Sequence, residues 1–295
     1  MDLKIDWPSR GHAYDKNDIN IVKSIMSNDN LSLSKGTKVE EFEKKFSNLI
    51  GRNSLTTMSG AHSLDIAANL INTSHEDEII IPAHTYCATA LSFLRKGANI
   101  RWADIDKDSF TISLKSIKNL ITKKTKAIVV VHLYGLICPE IEEIADFAKS
   151  RNIFLIEDCA QSLGAKIGEN HCGSFGDIAC FSFHSQKNIT TLGEGGMISV
   201  ANQEFVEKIK NYRHNGHEPF LKQSEYWLPA MVDVKLLDDN IIPFKSTITE
   251  IQGAIGCNLI DRLEELTINR RKLSKKIRES LFEQKSIIFQ KFDVE

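Results

Sequence analysis

The sequence predicts an α/β protein: a mostly parallel central sheet flanked by helices. Three observations predict it. Short apolar runs, Ile79-Ile80-Ile81, Ala127-Ile128-Val129-Val130-Val131 and Ile153-Phe154-Leu155-Ile156, have the character of strands buried on both faces. Stretches with helical spacing separate them, and a strand–helix–strand rhythm requires crossover connections and parallel pairing. Polar and glycine-rich residues follow several strands, where open α/β sheets hold their ligands.

Taken in order, Lys38 to Leu49 is a helix, with Val39, Phe42, Phe46 and Leu49 on one stripe. Ser54 to Met58 is a strand that runs through Ser59-Gly60-Ala61-His62-Ser63 into a helix over Leu64 to Ile71. Ile79 to Ile81 is a strand ended by Pro82; Ala88 to Arg95 is helical and Asn99 to Ala103 extended. A helix over Leu114 to Ile121 precedes the strand at Ala127 to Val131, and one over Ile141 to Lys149 precedes the strand that delivers Glu157-Asp158. Ile178 to Phe183 and Gly196 to Val200 are strands without an intervening helix, which predicts an antiparallel pair. Phe205 to Tyr212 is a helix, residues 214–246 an irregular excursion, and Thr249 to Arg271 a long helix or helix pair continued to Phe282.

The 295 residues suffice for one large core with a smaller appended domain. With 37 Lys+Arg against 39 Asp+Glu the net charge is −2, which gives no reason to expect nucleic acid or an anionic membrane as partner. The runs Lys123-Lys124-Thr125-Lys126 and Arg270-Arg271-Lys272 read as solvated helix ends. Cys87, Cys138, Cys159, Cys172, Cys180 and Cys257 form no C-x-x-C pair, so neither a zinc knuckle nor a redox motif is expected, and no metal. The first residues lack the apolar core of a signal peptide and no apolar stretch approaches the ~20 residues of a membrane span. A cytoplasmic protein is expected.

Four segments carry candidate chemistry. Ser59-Gly60-Ala61-His62-Ser63 is a glycine turn entering a helix, whose free N–H groups favour a phosphate; a plain capped turn is the alternative. Glu157-Asp158-Cys159-Ala160-Gln161-Ser162 places two carboxylates after a buried strand, pointing to opposite faces, so that one faces the site; N-capping by Asp158 is the alternative. In Phe181-Ser182-Phe183-His184-Ser185-Gln186-Lys187-Asn188, Lys187 in a dry pocket would offer a neutral amine for Schiff-base chemistry, whereas a lone lysine is ordinarily a solvated charge. Gly193-Glu194-Gly195-Gly196 is a flexible turn that would let backbone approach a ligand. A phosphate cradle, an acid and an amine on one α/β body are what pyridoxal phosphate requires.

These segments, with Gly173-Ser174-Phe175-Gly176-Asp177, Pro82-Ala83-His84-Thr85-Tyr86, Asp104-Ile105-Asp106, His132-Leu133-Tyr134-Gly135 and Thr249-Glu250-Ile251-Gln252-Gly253-Ala254-Ile255-Gly256, resemble the DegT/StrS family of nucleotide-sugar aminotransferases. The resemblance runs from about residue 35 to residue 271. It implies the large domain of a fold-type-I pyridoxal-phosphate aminotransferase over residues 1–240, and over 241–295 the start of a small C-terminal domain that is incomplete here. It implies that Lys187 condenses with the cofactor aldehyde and shuttles a proton, that Asp158 pairs with the ring nitrogen, that Gln161 bonds the hydroxyl side of the ring, that Tyr86 stacks on its face, and that Gly60, Ala61 and Ser182 hold the phosphate. It implies an amino-acid donor, glutamate, a nucleotide-linked keto-sugar acceptor, a homodimer with shared sites and a place in polysaccharide biosynthesis. The family's inter-subunit asparagine corresponds here to Lys245. A sugar dehydratase, whose relatives carry histidine at the lysine position, and a non-catalytic relative are the alternatives.

Overall fold

The computed structural model describes residues 14–28, 33, 36–216 and 241–291. In chain order the elements are α1 (Lys16–Met26), α2 (Thr37–Ile50), β1 (Asn53–Thr57), α3 (Gly60–Leu70), β2 (Glu78–Pro82), α4 (Ala88–Leu94), β3 (Asn99–Ala103), α5 (Leu114–Leu120) and β4 (Thr125–Val131). They continue with α6 (Ile141–Lys149), β5 (Phe154–Asp158), β6 (Lys166–Ile167), β7 (Asn170–His171), β8 (Ile178–Ser182), β9 (Gly196–Val200), α7 (Glu204–Tyr212), α8 (Glu250–Asp261) and α9 (Leu263–Ser280).

Seven strands form the main sheet in the order β1-β9-β8-β5-β4-β2-β3. The pairs β8–β5, β5–β4, β4–β2 and β2–β3 are parallel, and β9 runs antiparallel to both of its neighbours. Side chains alternate across the strands, so each strand feeds two apolar layers. Ile80, Ile128, Val130, Leu155, Ala179 and Phe181 join Phe42 and Phe46 of α2, Ile141 and Ile144 of α6, and Ile255 and Leu259 of α8. Ile79, Ile81, Val129, Ile156, Ile178 and Ile198 face the other way, onto Ile66 of α3, Phe93 of α4 and Ile209 of α7. Glycine brings α8 against α2: a Cβ on Gly253 would stand 2.8 Å from the Val39 nitrogen, and one on Gly256 2.6 Å from the Phe42 ring.

The parallel strands and the antiparallel pair match the expected architecture. Three local expectations do not. Thr125-Lys126 opens β4 rather than closing a helix, because the β-branched run starts there. Arg270-Arg271-Lys272 lies inside α9, where the half-buried Arg270 donates to the Asn188 carbonyl at 2.6 Å. The Gly193–Gly196 turn is close-packed only at its second half: a Cβ on Gly195 would collide with Thr191, and one on Gly196 with Ser59 and Thr57, whereas one on Gly193 would meet nothing within 4 Å. Residues 217–240 of the expected excursion lie outside the described residues.

Candidate active site

The sheet topology collects the candidate residues at one edge. In register, Thr57 faces Gly196 and Gly196 faces Ser182, so the end of β1, the start of β9 and the end of β8 coincide. Val131 pairs with Asp158, and Asp158 with Cys180, which puts the ends of β4 and β5 on the same edge.

At the end of β1, the Ser59 hydroxyl accepts from the His62 N–H at 3.2 Å and caps α3. The N–H groups of Gly60 and Ala61 precede the first intrahelical bond and have no hydrogen-bond partner among the described residues. α3 therefore starts at Gly60, earlier than the sequence pattern places it. Gly60 is required there: its Cβ would lie 2.8 Å from the Ser182 Cβ. Gly60, Ala61 and Ser182 are thus neighbours, and a helix N-terminus with two free donors beside a serine is a cradle for an anion. Ser246, missed from sequence, braces it; its buried hydroxyl accepts from the Met58 N–H at 3.1 Å and lies 3.2 Å from His62 Nδ1.

Glu157 and Asp158 divide as their alternation requires. Glu157, fully buried, accepts from the N–H groups of Gly173 at 2.8 Å, Phe175 at 2.8 Å and Gly176 at 2.6 Å, and from His132 Nε2 at 2.9 Å. The Cys138 N–H donates to His132 Nδ1 at 3.1 Å, so Nε2 is the ring nitrogen that donates to Glu157. Burial alone would raise the Glu157 carboxyl; the His132 and loop N–H bonds outweigh it and hold it below the usual carboxylate range. The nearby trio His132, Glu157 and Cys159 has metal-ligand spacing, but both nitrogens of His132 and both oxygens of Glu157 are already engaged. Glu157 organises the backbone; Asp158 is left for chemistry.

Asp158 is 6% exposed. Thr89 Oγ1 donates to its Oδ2 at 2.8 Å and the Ala160 N–H to its Oδ1 at 3.1 Å, with no helix to cap. Burial raises its pKa, opposed by the Thr89 hydroxyl, the Ala160 N–H and the charge of Lys187. Lys187 is half-buried in the turn after β8, its N–H bonded to the His184 carbonyl at 2.9 Å, and its ammonium makes no ion pair within the described residues. A desolvated carboxylate with a lysine charge acting on it suits a cationic ring nitrogen and an amine-reactive aldehyde.

Gln161 and Tyr86 complete the expected set. Gln161 Oε1 accepts from the Tyr134 N–H at 2.9 Å. Tyr86 stands 71% exposed in the turn between β2 and α4. Tyr134 is left-handed at φ 60°, ψ 23°, which costs a tyrosine on the order of 1 kcal/mol. Its hydroxyl lies 3.1 Å from His84 Nε2 and the residue is 61% exposed. Lys245 is exposed, and its backbone bridges to His214.

The model of the DegT/DnrJ/EryC1/StrS aminotransferase family matches residues 12–295. The GDP-perosamine synthase of Escherichia coli O157:H7 is 34% identical over 242 residues, which is 82% of this chain and 62% of that protein. The chain therefore spans about three-fifths of the length of that curated relative. Among solved structures, the aminotransferase from Psychrobacter cryohalolentis superposes with a TM-score of 0.84 at 25% identity, over 94% of this chain and 69% of that one. The structure of ntda from Bacillus subtilis, with bound cofactor PMP, superposes with a TM-score of 0.78 at 25% identity, over 92% of this chain and 59% of that one. With the sheet edge assembled as above, the chain belongs to the DegT/DnrJ/EryC1/StrS aminotransferase family.

Proposed function

We propose that this chain binds pyridoxal 5′-phosphate and serves as a nucleotide-sugar aminotransferase, moving an amino group from an amino acid, glutamate, to a keto group of a nucleotide-linked sugar. The observation that supports it most is the convergence at one sheet edge of two free helix N–H groups, a desolvated carboxylate and a lysine. Family membership and the PMP bound in the Bacillus subtilis relative point the same way.

Bound pyridoxal phosphate supplies an aldehyde to carry nitrogen and a ring to draw electrons. In this reading Gly60 and Ala61 donate N–H bonds to the phosphate, and the Ser182 hydroxyl adds a third donor. Asp158 would hold a proton on the ring nitrogen, with Thr89 and the Ala160 N–H bonded to its carboxylate. Gln161 would bond the ring oxygen, and Tyr86 would cover one ring face. Lys187 would hold the cofactor through its amine, and the same amine is the group there that would hold or move a proton.

The division into a cofactor-binding body over 1–240 and the start of a smaller domain over 241–295 belongs to the same proposal, with α8 anchored in the body's core. So do a cytoplasmic location, a homodimer with shared sites and a role in polysaccharide biosynthesis. Among the described residues no helix is long and apolar enough to cross a membrane.

The test is direct. Incubation with pyridoxal phosphate gives a visible absorption band, borohydride fixes the cofactor on Lys187 in the peptide map, and Lys187→Ala removes both. Label on another lysine, or no band, overturns the cofactor assignment. A panel of nucleotide-linked keto-sugars with glutamate then yields 2-oxoglutarate with an aminated sugar; ammonia with a deoxygenated sugar indicates the dehydratase instead.

A further inference from the structure

We propose that Tyr134 is a positioning residue for Gln161, acting through its main-chain N–H to decide which end of the glutamine amide faces the ligand; the inference rests on the cofactor reading above. Leu133 to Leu136 forms a tight turn, with the Leu136 N–H bonded to the Leu133 carbonyl at 3.1 Å. Both central residues are left-handed, Tyr134 at φ 60° and Gly135 at φ 88°, the geometry of a type I′ turn. Such turns select Asn-Gly or Asp-Gly, and a bulky residue at the first position is disfavoured. Core packing does not account for the tyrosine. The residue is 61% exposed, and among the described residues its one aromatic partner is the His84 imidazole, met edge-on with the centroids 5.8 Å apart.

The turn aims one N–H. From the left-handed position the Tyr134 N–H reaches Gln161 Oε1 at 2.9 Å, across from the β4 loop to the β5 loop. That bond takes up the amide oxygen. Gln161 Nε2 makes no hydrogen bond among the described residues, so the amide presents a donor to the site. A donor there suits an electron-rich oxygen, such as the ring hydroxyl of pyridoxal phosphate in its ionised form. Without the Tyr134 N–H the amide is free to turn end for end and offer an oxygen, which repels the same group. The strained residue and the glutamine are one device, built from two adjacent strand ends.

Substitutions separate the main chain from the ring. Tyr134→Gly and Tyr134→Asn keep the left-handed turn and the N–H while removing the ring; Tyr134→Val disfavours the turn. Dissociation constants for pyridoxal phosphate and the position of the visible band at fixed pH are measured for these variants, for Gln161→Ala, and for Tyr134→Val combined with Gln161→Ala. Gln161→Ala and Tyr134→Val each weaken binding about tenfold, the loss of one charge-assisted bond, and displace the band in the same direction. Tyr134→Gly and Tyr134→Asn stay within about twofold of wild type, and the double variant is no weaker than Gln161→Ala alone. Equal losses in the glycine and valine variants, additive losses in the double variant, or full affinity in Tyr134→Val each overturn the proposal. Circular-dichroism melting of the cofactor-free proteins identifies a variant that has merely unfolded, and the glycine and asparagine variants then decide. A wild-type chain without a visible band defeats the cofactor reading; a normal band that responds to Gln161→Ala but not to Tyr134→Val defeats only this inference.

Discussion

Replacing Glu157 by glutamine removes one negative charge and changes one oxygen to an NH2 group, and the structure makes that a severe change. Oε1 accepts from Phe175 and Gly176; Oε2 accepts from His132 and Gly173. Whichever way the new amide turns, its NH2 confronts two N–H donors. His132 cannot become an acceptor at Nε2, because its Nδ1 already accepts from Cys138. Two bonds to a charged acceptor are lost at about 1.5–3 kcal/mol each, and the two that survive weaken to neutral strength. Relaxation recovers part of this, so Glu157→Gln is expected to cost about 4 kcal/mol or more, a large share of the ~5–15 kcal/mol by which domains are stable. Equilibrium unfolding in urea, followed by circular dichroism, measures it. The folded-state carboxyl is depressed, so its stabilisation is complete above the unfolded value of about 4.3 and is lost as pH falls through the folded one; in the variant the acid side of the stability curve flattens. A loss under about 1.5 kcal/mol, or an unchanged acid limb, would refute the assignment of Glu157 as the anchor of the 173–176 loop.

Three further outcomes follow. Asp158→Asn stabilises the cofactor-free chain by roughly 0.5–2 kcal/mol at neutral pH while weakening cofactor uptake; its folded pKa is raised, so its cost appears as pH rises past the unfolded value, and calorimetry against pH reads the sign. Gly60→Ala loses stability despite the ~1 kcal/mol that alanine gains in a helix, because the added Cβ lies 2.8 Å from Ser182 and displaces α3 by strain of ~1–3 kcal/mol; urea melts and pyridoxal-phosphate titration check it. Only Cys87 is exposed, and burial pushes Cys138 up to about 11 and Cys257 up to about 12, so a thiol reagent labels one cysteine quickly in the native chain and six in denaturant.

Much of the fold was legible because the signals were long. β-branched runs such as Ala127 to Val131 can hardly sit anywhere but between two helical layers, and the boundaries of β3 and α6 fall where alternation and helical spacing end. What was not legible depended on partners distant in sequence. α1 packs Ile21, Val22 and Ile25 inward and is tied to α8 and the residue after it, through Asp18 accepting from Asn258 and Arg262 beside Asp15. Its capping box, Asp15 with Asp18, was the available signal. β6 and β7 are two residues each, too short for any pattern. At the site, composition marked the residues but not their roles: Glu157 and Asp158 look equivalent until the loop at 173–176 is folded back on one of them. The turn at Tyr134 was hidden because only Gly135 marks it, and a tyrosine stands where Asn or Asp is usual.

The strand β9 joins β1 to β8, and that has a consequence for how the protein comes into being. β1, with the helix start that follows it, has no place in the sheet until the last strand of the sheet has been made and inserted. Contacts so remote along the chain close slowly. During synthesis the amine-bearing turn and the anion cradle therefore meet only at the end, and the nascent chain passes through a stage with β8 carrying an open edge. Binding at that edge would thus report completed assembly, and defects in Gly196 or its neighbours are expected to surface first as aggregation in the cell.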